Sequence, residues 1–203
     1  VGADVDDAVA ILLRSHKLDP GALKSQLKAI ARAGAGVNNI PISESTEQGV
    51  VVFNTPGGNA NAVKELVLCG LLLASREIIP GIGFANTQTS IDDYNELSKV
   101  MEQEKTRFKG NEIAGKTLGV IGLGAIGSMV AEMAINLNMN VLGYDPALSV
   151  EAAWRLPSQV KRIENLNSLM TSSDFITLHI PVLDSTRNLI DANMFASMRK
   201  GTC

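Results

Sequence analysis

The sequence predicts an α/β protein with two blocks of parallel strands, each carrying helices on its faces. Two observations predict it. Short β-rich apolar runs alternate with helical patterns through both halves of the 203-residue chain, the pattern of strand–helix–strand crossovers. In the second half, a glycine-rich turn, Gly122 to Gly127, joins such a run directly to a helical one.

In the first block, Ala8 to Leu13 reads as a buried strand ending at Arg14-Ser15-His16-Lys17. Pro20 to Leu27 reads as a short helix with proline in its first turn. Lys28 to Ala31 is a second strand, running into Gly34-Ala35-Gly36. Ser43 is expected to cap a helix that Gly49 ends, before a third strand, Val50 to Phe53. The turn-rich Asn54 to Asn59 follows.

Asn61 is expected to cap a longer helix reaching about Arg76. Its apolar residues, among them Leu66, Val67, Leu71 and Leu73, cover most of the circumference. Such a helix is expected to be buried on several sides, against both domains and a second subunit. The more polar stretch from Ile82 to Lys109 reads as the connection to the second block.

That block opens with a strand, Lys116 to Ile121, and a helix with Ile126, Met129, Val130, Met133, Ala134 and Leu137 on one face. Asn140 to Tyr144 is the next strand, closed by Asp145-Pro146. Val160 to Ile163 is a weak strand, Leu166 to Met170 a short helix, and Phe175 to His179 a strong strand. Asp191 caps a helix to about Met198, Gly201 stops it, and Thr202-Cys203 begins a further strand. The domains are expected at 1–84 and 85–203, the second incomplete.

Composition excludes several classes. A formal charge of −3 argues against a nucleic-acid surface, which needs clustered basic residues. The longest apolar run, Leu66 to Ala74, is about half of what a bilayer crossing needs. Cys69 and Cys203 have no metal-type spacing and build no disulfide framework, so a cytoplasmic protein with reduced thiols and no metal is expected. Val1 opens the chain without a methionine or a signal segment, so the sequence is expected to be an excerpt.

Gly122-Leu123-Gly124-Ala125-Ile126-Gly127 is a G-x-G-x-x-G, a weak signal alone. Here it follows a strand and opens a helix, with Asp145 at the tip of the next strand, 18 residues past Gly127. Gly122 permits the tight turn, Gly124 lets a pyrophosphate approach the backbone, and Gly127 lets helix and strand pack closely. Asp145 is expected to accept hydrogen bonds from ribose hydroxyls and to repel a 2′-phosphate. That favours NAD over NADP.

With these residues in hand, the chain resembles the D-isomer-specific 2-hydroxyacid dehydrogenase family, and within it the branch that oxidises D-3-phosphoglycerate. The resemblance rests on Leu13-Arg14-Ser15, Arg32 to Ile40, Phe53 to Asn59, Lys116 to Gly124, Gly143 to Pro146 and Asp174 to Pro181. It implies a flavodoxin-like α/β substrate domain followed by a Rossmann-type doubly wound parallel sheet, with NAD in the cleft between them. Ala35 and Gly36 would lie on the loop facing the substrate carboxylate and the nicotinamide. Arg14, closing a strand at its carboxyl end, and Ser15, with Lys17 near, supply donors for an anion and are expected to help bind the substrate's distal phosphate. Ala125 and Ile126 would lie at the pyrophosphate, and His179, Ile180 and Pro181 beside a cofactor ribose or the adenine. The family's catalytic arginine, glutamate and histidine would all lie past Cys203, so neither His16 nor His179 is assigned as general acid. His16 reads as a solvated loop residue, His179 as a packed residue whose backbone lines the cleft. Asp174 reads as a turn or cap residue, and Trp154 as peripheral packing.

The resemblance implies NAD-dependent oxidation of D-3-phosphoglycerate to 3-phosphohydroxypyruvate by the full-length protein, a homodimer or larger, with residues 1–203 alone inactive. Two other readings stay open. One is a relative acting on another 2-hydroxy acid, such as glyoxylate, hydroxypyruvate or lactate. The other is a non-enzymatic NAD-sensing corepressor.

Overall fold

A computed structural model of the chain describes residues 7–203; the first six, where the expected first domain begins, lie outside the described residues. The chain divides into two compact units, Val1–Asn61 and Ala62–Cys203.

The first unit is a parallel sheet of β1 (Ala10–Leu13), β2 (Ala29–Arg32) and β3 (Val51–Phe53), in that order. Side chains alternate across a strand, and the register aligns Ile11 with Ile30 and Val52 on one face. That face packs on Leu18, Leu23, Leu27, Ile40 and Val50. The opposite face aligns Leu12, Ala31 and Phe53, and Leu12 and Phe53 are exposed. Pro20 to Leu27 is not the expected helix: only one 3-10 turn forms, Pro20–Ala22. Leu23 leaves helical space at φ −78°, ψ 79°, and Leu18, Leu23 and Leu27 all reach one core. Their burial outweighs the weak helical preference of a segment containing glycine. Helix α1 (Ile42–Glu47) starts before Ser43, which lies in its first turn and is not its cap.

Helix α2 (Ala60–Ser75) begins at the junction of the units, so Asn61 also lies inside the helix it was expected to cap. Within this chain α2 is not buried on several sides. Leu71 is buried, while Leu66, Leu72 and Leu73 are exposed. The polar stretch after it is more helical than expected, with α3 (Ile78–Thr87) and α4 (Tyr94–Glu104). The Asp93 carboxylate caps α4, accepting from the Glu96 N–H at 2.8 Å, and the Phe84 and Phe108 rings pair at 5.3 Å. No single helix among the described residues is long and apolar enough to cross a membrane.

The remaining elements are β4 (Thr117–Ile121), α5 (Ala125–Asn136), β5 (Asn140–Tyr144), α6 (Val150–Ala153), β6 (Lys161–Arg162), α7 (Leu166–Ser172), β7 (Phe175–Leu178) and α8 (Ala192–Ser197). Their strands form one parallel sheet in the order β6-β5-β4-β7. Leu118 and Val120 of β4 pack with Val130, Ala131 and Ala134 of α5. Ile121 packs with Leu166, Leu169 and Met170 of α7. Helices thus cover both faces, as a doubly wound parallel sheet requires. The chain's last residue already pairs with β7: Ile176 N–H donates to the Cys203 carbonyl at 2.8 Å, and Cys203 N–H to that of Asp174 at 3.1 Å.

Asp174 lies in the bend before β7 and does more than turn the chain. Its carboxylate accepts from the Thr117 N–H at 2.7 Å and pairs with Arg199 at 3.2 Å, tying the start of β4 to the segment after α8. Trp154 is not packed; it is 85 % exposed, at the C-cap of the short α6.

Candidate cofactor site

Because the strands of the second sheet are parallel, their carboxyl ends share one edge, where ligands of such sheets bind. Three of these ends meet at the glycine turn. Gly122 has φ +89°, and a Cβ on it would stand 2.7 Å from the His179 carbonyl oxygen and from Ile180 Cγ2. Only glycine lets the turn and the end of β7 come so close. A Cβ on Gly127 would stand 1.9 Å from the Gly122 carbonyl oxygen, so this glycine lets α5 pack on the turn. Gly124 is different: a Cβ there would meet nothing within 4 Å, leaving open space above its backbone.

Gly124 is the N-cap of α5 and offers no side chain to the helix end. The N–H groups of Ala125, Ile126 and Gly127 have no acceptor among the described residues. Three free donors at the positive end of a 12-residue helix favour an anion, above all a phosphate.

Asp145 follows β5 and is held by two bonds. Oδ2 accepts from the Leu123 N–H at 2.8 Å and Oδ1 from the Ala147 N–H at 3.0 Å. Each oxygen keeps lone-pair capacity for a further donor, so the carboxylate can accept from hydroxyls in a fixed orientation. It lies at a cleft of about 670 Å³ that Leu123, Gly143, Leu148, Trp154 and Arg162 also line. Arg162, 3.5 Å from Glu164, is a cation that the sequence reading did not place near Asp145.

His179 donates its N–H to the Ile121 carbonyl at 2.7 Å, and its Nε2 lies 3.0 Å from Thr177 Oγ1. Burial lowers the imidazole pKa below 6.5, because desolvation disfavours the charged ring. Pro181 follows, its carbonyl accepting from the Thr186 hydroxyl at 2.6 Å. No group of three or more potential metal ligands occurs among the described residues.

This arrangement fits a dinucleotide. The open space over Gly124 and the free N–H groups suit a pyrophosphate, and the pinned carboxylate of Asp145 suits a ribose diol.

The comparisons agree with that geometry. Residues 84–203 match the model of the D-isomer specific 2-hydroxyacid dehydrogenase, NAD binding domain. The chain belongs to this family. It is 41% identical over 199 residues to D-3-phosphoglycerate dehydrogenase of Methanocaldococcus jannaschii, covering 97% of this chain and 35% of that protein. It is 40% identical over 175 residues to hydroxypyruvate reductase of Thermotoga maritima, covering 86% of this chain and 51% of the relative. The NAD+-bound 3-phosphoglycerate dehydrogenase of Entamoeba histolytica superposes with a TM-score of 0.73 at 28% identity, over 98% of this chain and 55% of that one. This D-2-hydroxyacid dehydrogenase chain thus spans about a third of the length of the M. jannaschii relative.

The first unit gathers a second group of candidates at the carboxyl ends of its own strands. Arg14 and Ser15 are exposed after β1, and Ala35 and Gly36 are exposed after β2. Hydrogen bonds tie the loops together. Asn54 donates to the Ala35 carbonyl at 2.7 Å and Thr55 N–H to that of Gly34 at 3.0 Å. Arg32 and Asn39 both donate to the Arg14 carbonyl at 3.1 Å. Asn39 and Asn54 fall in motifs where the sequence alone assigns them no task, and Leu123 is a spacer in the glycine pattern. An asparagine just past a strand in a glycine-rich loop is the available signal for such ties.

Proposed function

We propose that the full-length protein is an NAD-dependent dehydrogenase that oxidises D-3-phosphoglycerate to 3-phosphohydroxypyruvate. The observation that carries the substrate assignment is the pair Arg14 and Ser15, held at the carboxyl end of β1. A guanidinium and a hydroxyl there suit a phosphate. The 41% identity to the D-3-phosphoglycerate dehydrogenase of M. jannaschii supports the same reading.

In this proposal Ala125, Ile126 and Gly127 hold the pyrophosphate, and Gly122 and Gly124 keep their backbone open to it. Asp145 orients the ribose and disfavours a 2′-phosphate. His179, Ile180 and Pro181 form the wall beside the turn, with the imidazole neutral above its lowered pKa. Ala35 and Gly36 offer backbone to the substrate carboxylate. Bound NAD supplies the hydride acceptor. The group that moves the hydroxyl proton and the cation that grips the carboxylate belong outside residues 1–203, so the proposal has these residues bind and align rather than catalyse.

The proposal also carries domains at 1–84 and 85–203, a cytoplasmic location, and a homodimer. The exposed Leu66, Leu72 and Leu73 of α2 support the dimer. A second reading, reduction of hydroxypyruvate, is favoured by the T. maritima relative. One experiment separates them: assay the full-length protein with NAD and NADP against a panel of phosphorylated and unphosphorylated 2-hydroxy and 2-keto acids. The proposal requires the highest kcat/KM for phosphoglycerate with NAD. A preference for hydroxypyruvate transfers the assignment, and no turnover of any panel member removes it.

A further inference from the structure

Four consecutive residues, Arg14 to Lys17, are exposed between the buried Leu13 and Leu18. Apolar packing does not order such a stretch, so hydrogen bonds to its backbone must. Asn39, 25 residues away, supplies them. Its Nδ2 donates to the Arg14 carbonyl at 3.1 Å and the His16 carbonyl at 2.7 Å. Its own carbonyl accepts from the Leu18 N–H at 2.9 Å. Three bonds from one residue therefore bracket the loop.

The other end of the same amide is anomalous. Asn39 Oδ1 is buried and has no hydrogen-bond partner among the described residues. An unpaired buried oxygen opposes folding. A leucine of similar size would avoid that penalty, so what asparagine contributes here is its pair of donors. We infer that Asn39 is a positioning residue that fixes the loop carrying Arg14 and Ser15 by donating both amide protons to the Arg14 and His16 carbonyls. The inference deepens the reading of Arg14 and Ser15 as the phosphate-holding pair and rests on it. A guanidinium on a long flexible stem holds a phosphate tightly only when its backbone is already in place. Arg32, whose Nε donates to the same Arg14 carbonyl at 3.1 Å, is the second anchor.

The test uses the full-length protein with Asn39→Leu, which removes the donors and the orphaned oxygen together. Asn39→Ala is the companion variant should leucine prevent folding. Hydrogen exchange of a peptide covering residues 14–18 should accelerate at least about tenfold, with the exchange of β2 unchanged. KM for D-3-phosphoglycerate should rise about tenfold, while KM for NAD and kcat stay within about twofold. Wild-type exchange at 14–18 in a folded variant overturns the inference, as does an equal rise in both KM values. Arg14→Ala run in parallel separates the two levels. If it leaves KM for phosphoglycerate unchanged, the phosphate reading fails, while the exchange data still decide whether Asn39 fixes the loop.

Discussion

Gly127 and Gly124 stand three residues apart in one motif, yet the structure assigns them opposite sensitivities. In Gly127→Ala the new Cβ would sit 1.9 Å from the Gly122 carbonyl oxygen, more than an ångström inside ordinary contact. The obstacle is backbone, so α5 must move off β4. That move opens the packing of Val130, Ala131 and Ala134, each fully buried. Overpacking of this kind costs up to about 3 kcal/mol. Alanine returns about 1 kcal/mol of helix propensity, leaving a loss of about 2 kcal/mol. For a urea m-value of about 2 kcal/mol/M, the unfolding midpoint should fall by about 1 M. Gly124→Ala meets no atom within 4 Å and keeps an allowed φ of −67°. Its stability should stay within about 0.5 kcal/mol of wild type, while its methyl group enters the space proposed for the pyrophosphate and weakens NAD binding tenfold or more. Urea titration and NAD titration of both full-length variants read the four values. An unchanged midpoint in Gly127→Ala refutes the packing argument, and wild-type NAD affinity in Gly124→Ala refutes the placement of the pyrophosphate.

Asp145→Ala should weaken NAD binding and strengthen NADP binding, because it removes a carboxylate and leaves Arg162 in the same cleft to meet a 2′-phosphate; titration with both cofactors checks this. Asp174→Ala should cost about 1–3 kcal/mol in urea unfolding, since it orphans the Thr117 N–H and unpairs Arg199. Its effect on NAD affinity should be small, because the clamp lies at the edge opposite the glycine turn. His179 gives a pH dependence with a definite sign. Its folded pKa lies below 6.5, so below that pH the unfolded state binds more protons. Its contribution to stability is therefore present above pH 6.5 and lost as pH falls toward the folded value. His179→Gln should flatten the stability profile in that window, and an unchanged profile would remove the imidazole as its source.

The sequence carried the second sheet well, because local pattern and tertiary role coincide there. Leu118, Val120 and Ile121 make a run that reads as a buried strand, and Val130, Ala131 and Ala134 lie on the face that α5 buries. The glycine turn was legible for a similar reason, since at Gly122 and Gly127 a Cβ would strike backbone, and the Asp145 carboxylate ties the end of β5 to that turn. Helix α4 was missed because its surface is polar, although Asp93 and Glu96 form the start signal of a helix. Pro20 to Leu27 erred the other way: proline near a start site suggested a helix, but three leucines had to reach one core. The ties made by Asn39 and Asp174 span 25 and 57 residues, and no local periodicity reports such partners.

The order β6-β5-β4-β7 puts the last of these strands beside the first one made. The Thr117–Asp174 bond spans 57 residues, so at about 5–20 residues per second β7 leaves the ribosome roughly 3–11 s after β4. Within that interval β5 and Asp145 emerge about halfway, whereas His179 and Ile180, which pack against Gly122, come only at its end. In the proposed site a cofactor touches all three strand ends, so it would bind only chains whose β7 has docked and, by mass action, stabilise those chains alone. Cellular dinucleotide would in this way favour the finished sheet over its unfinished forms during synthesis.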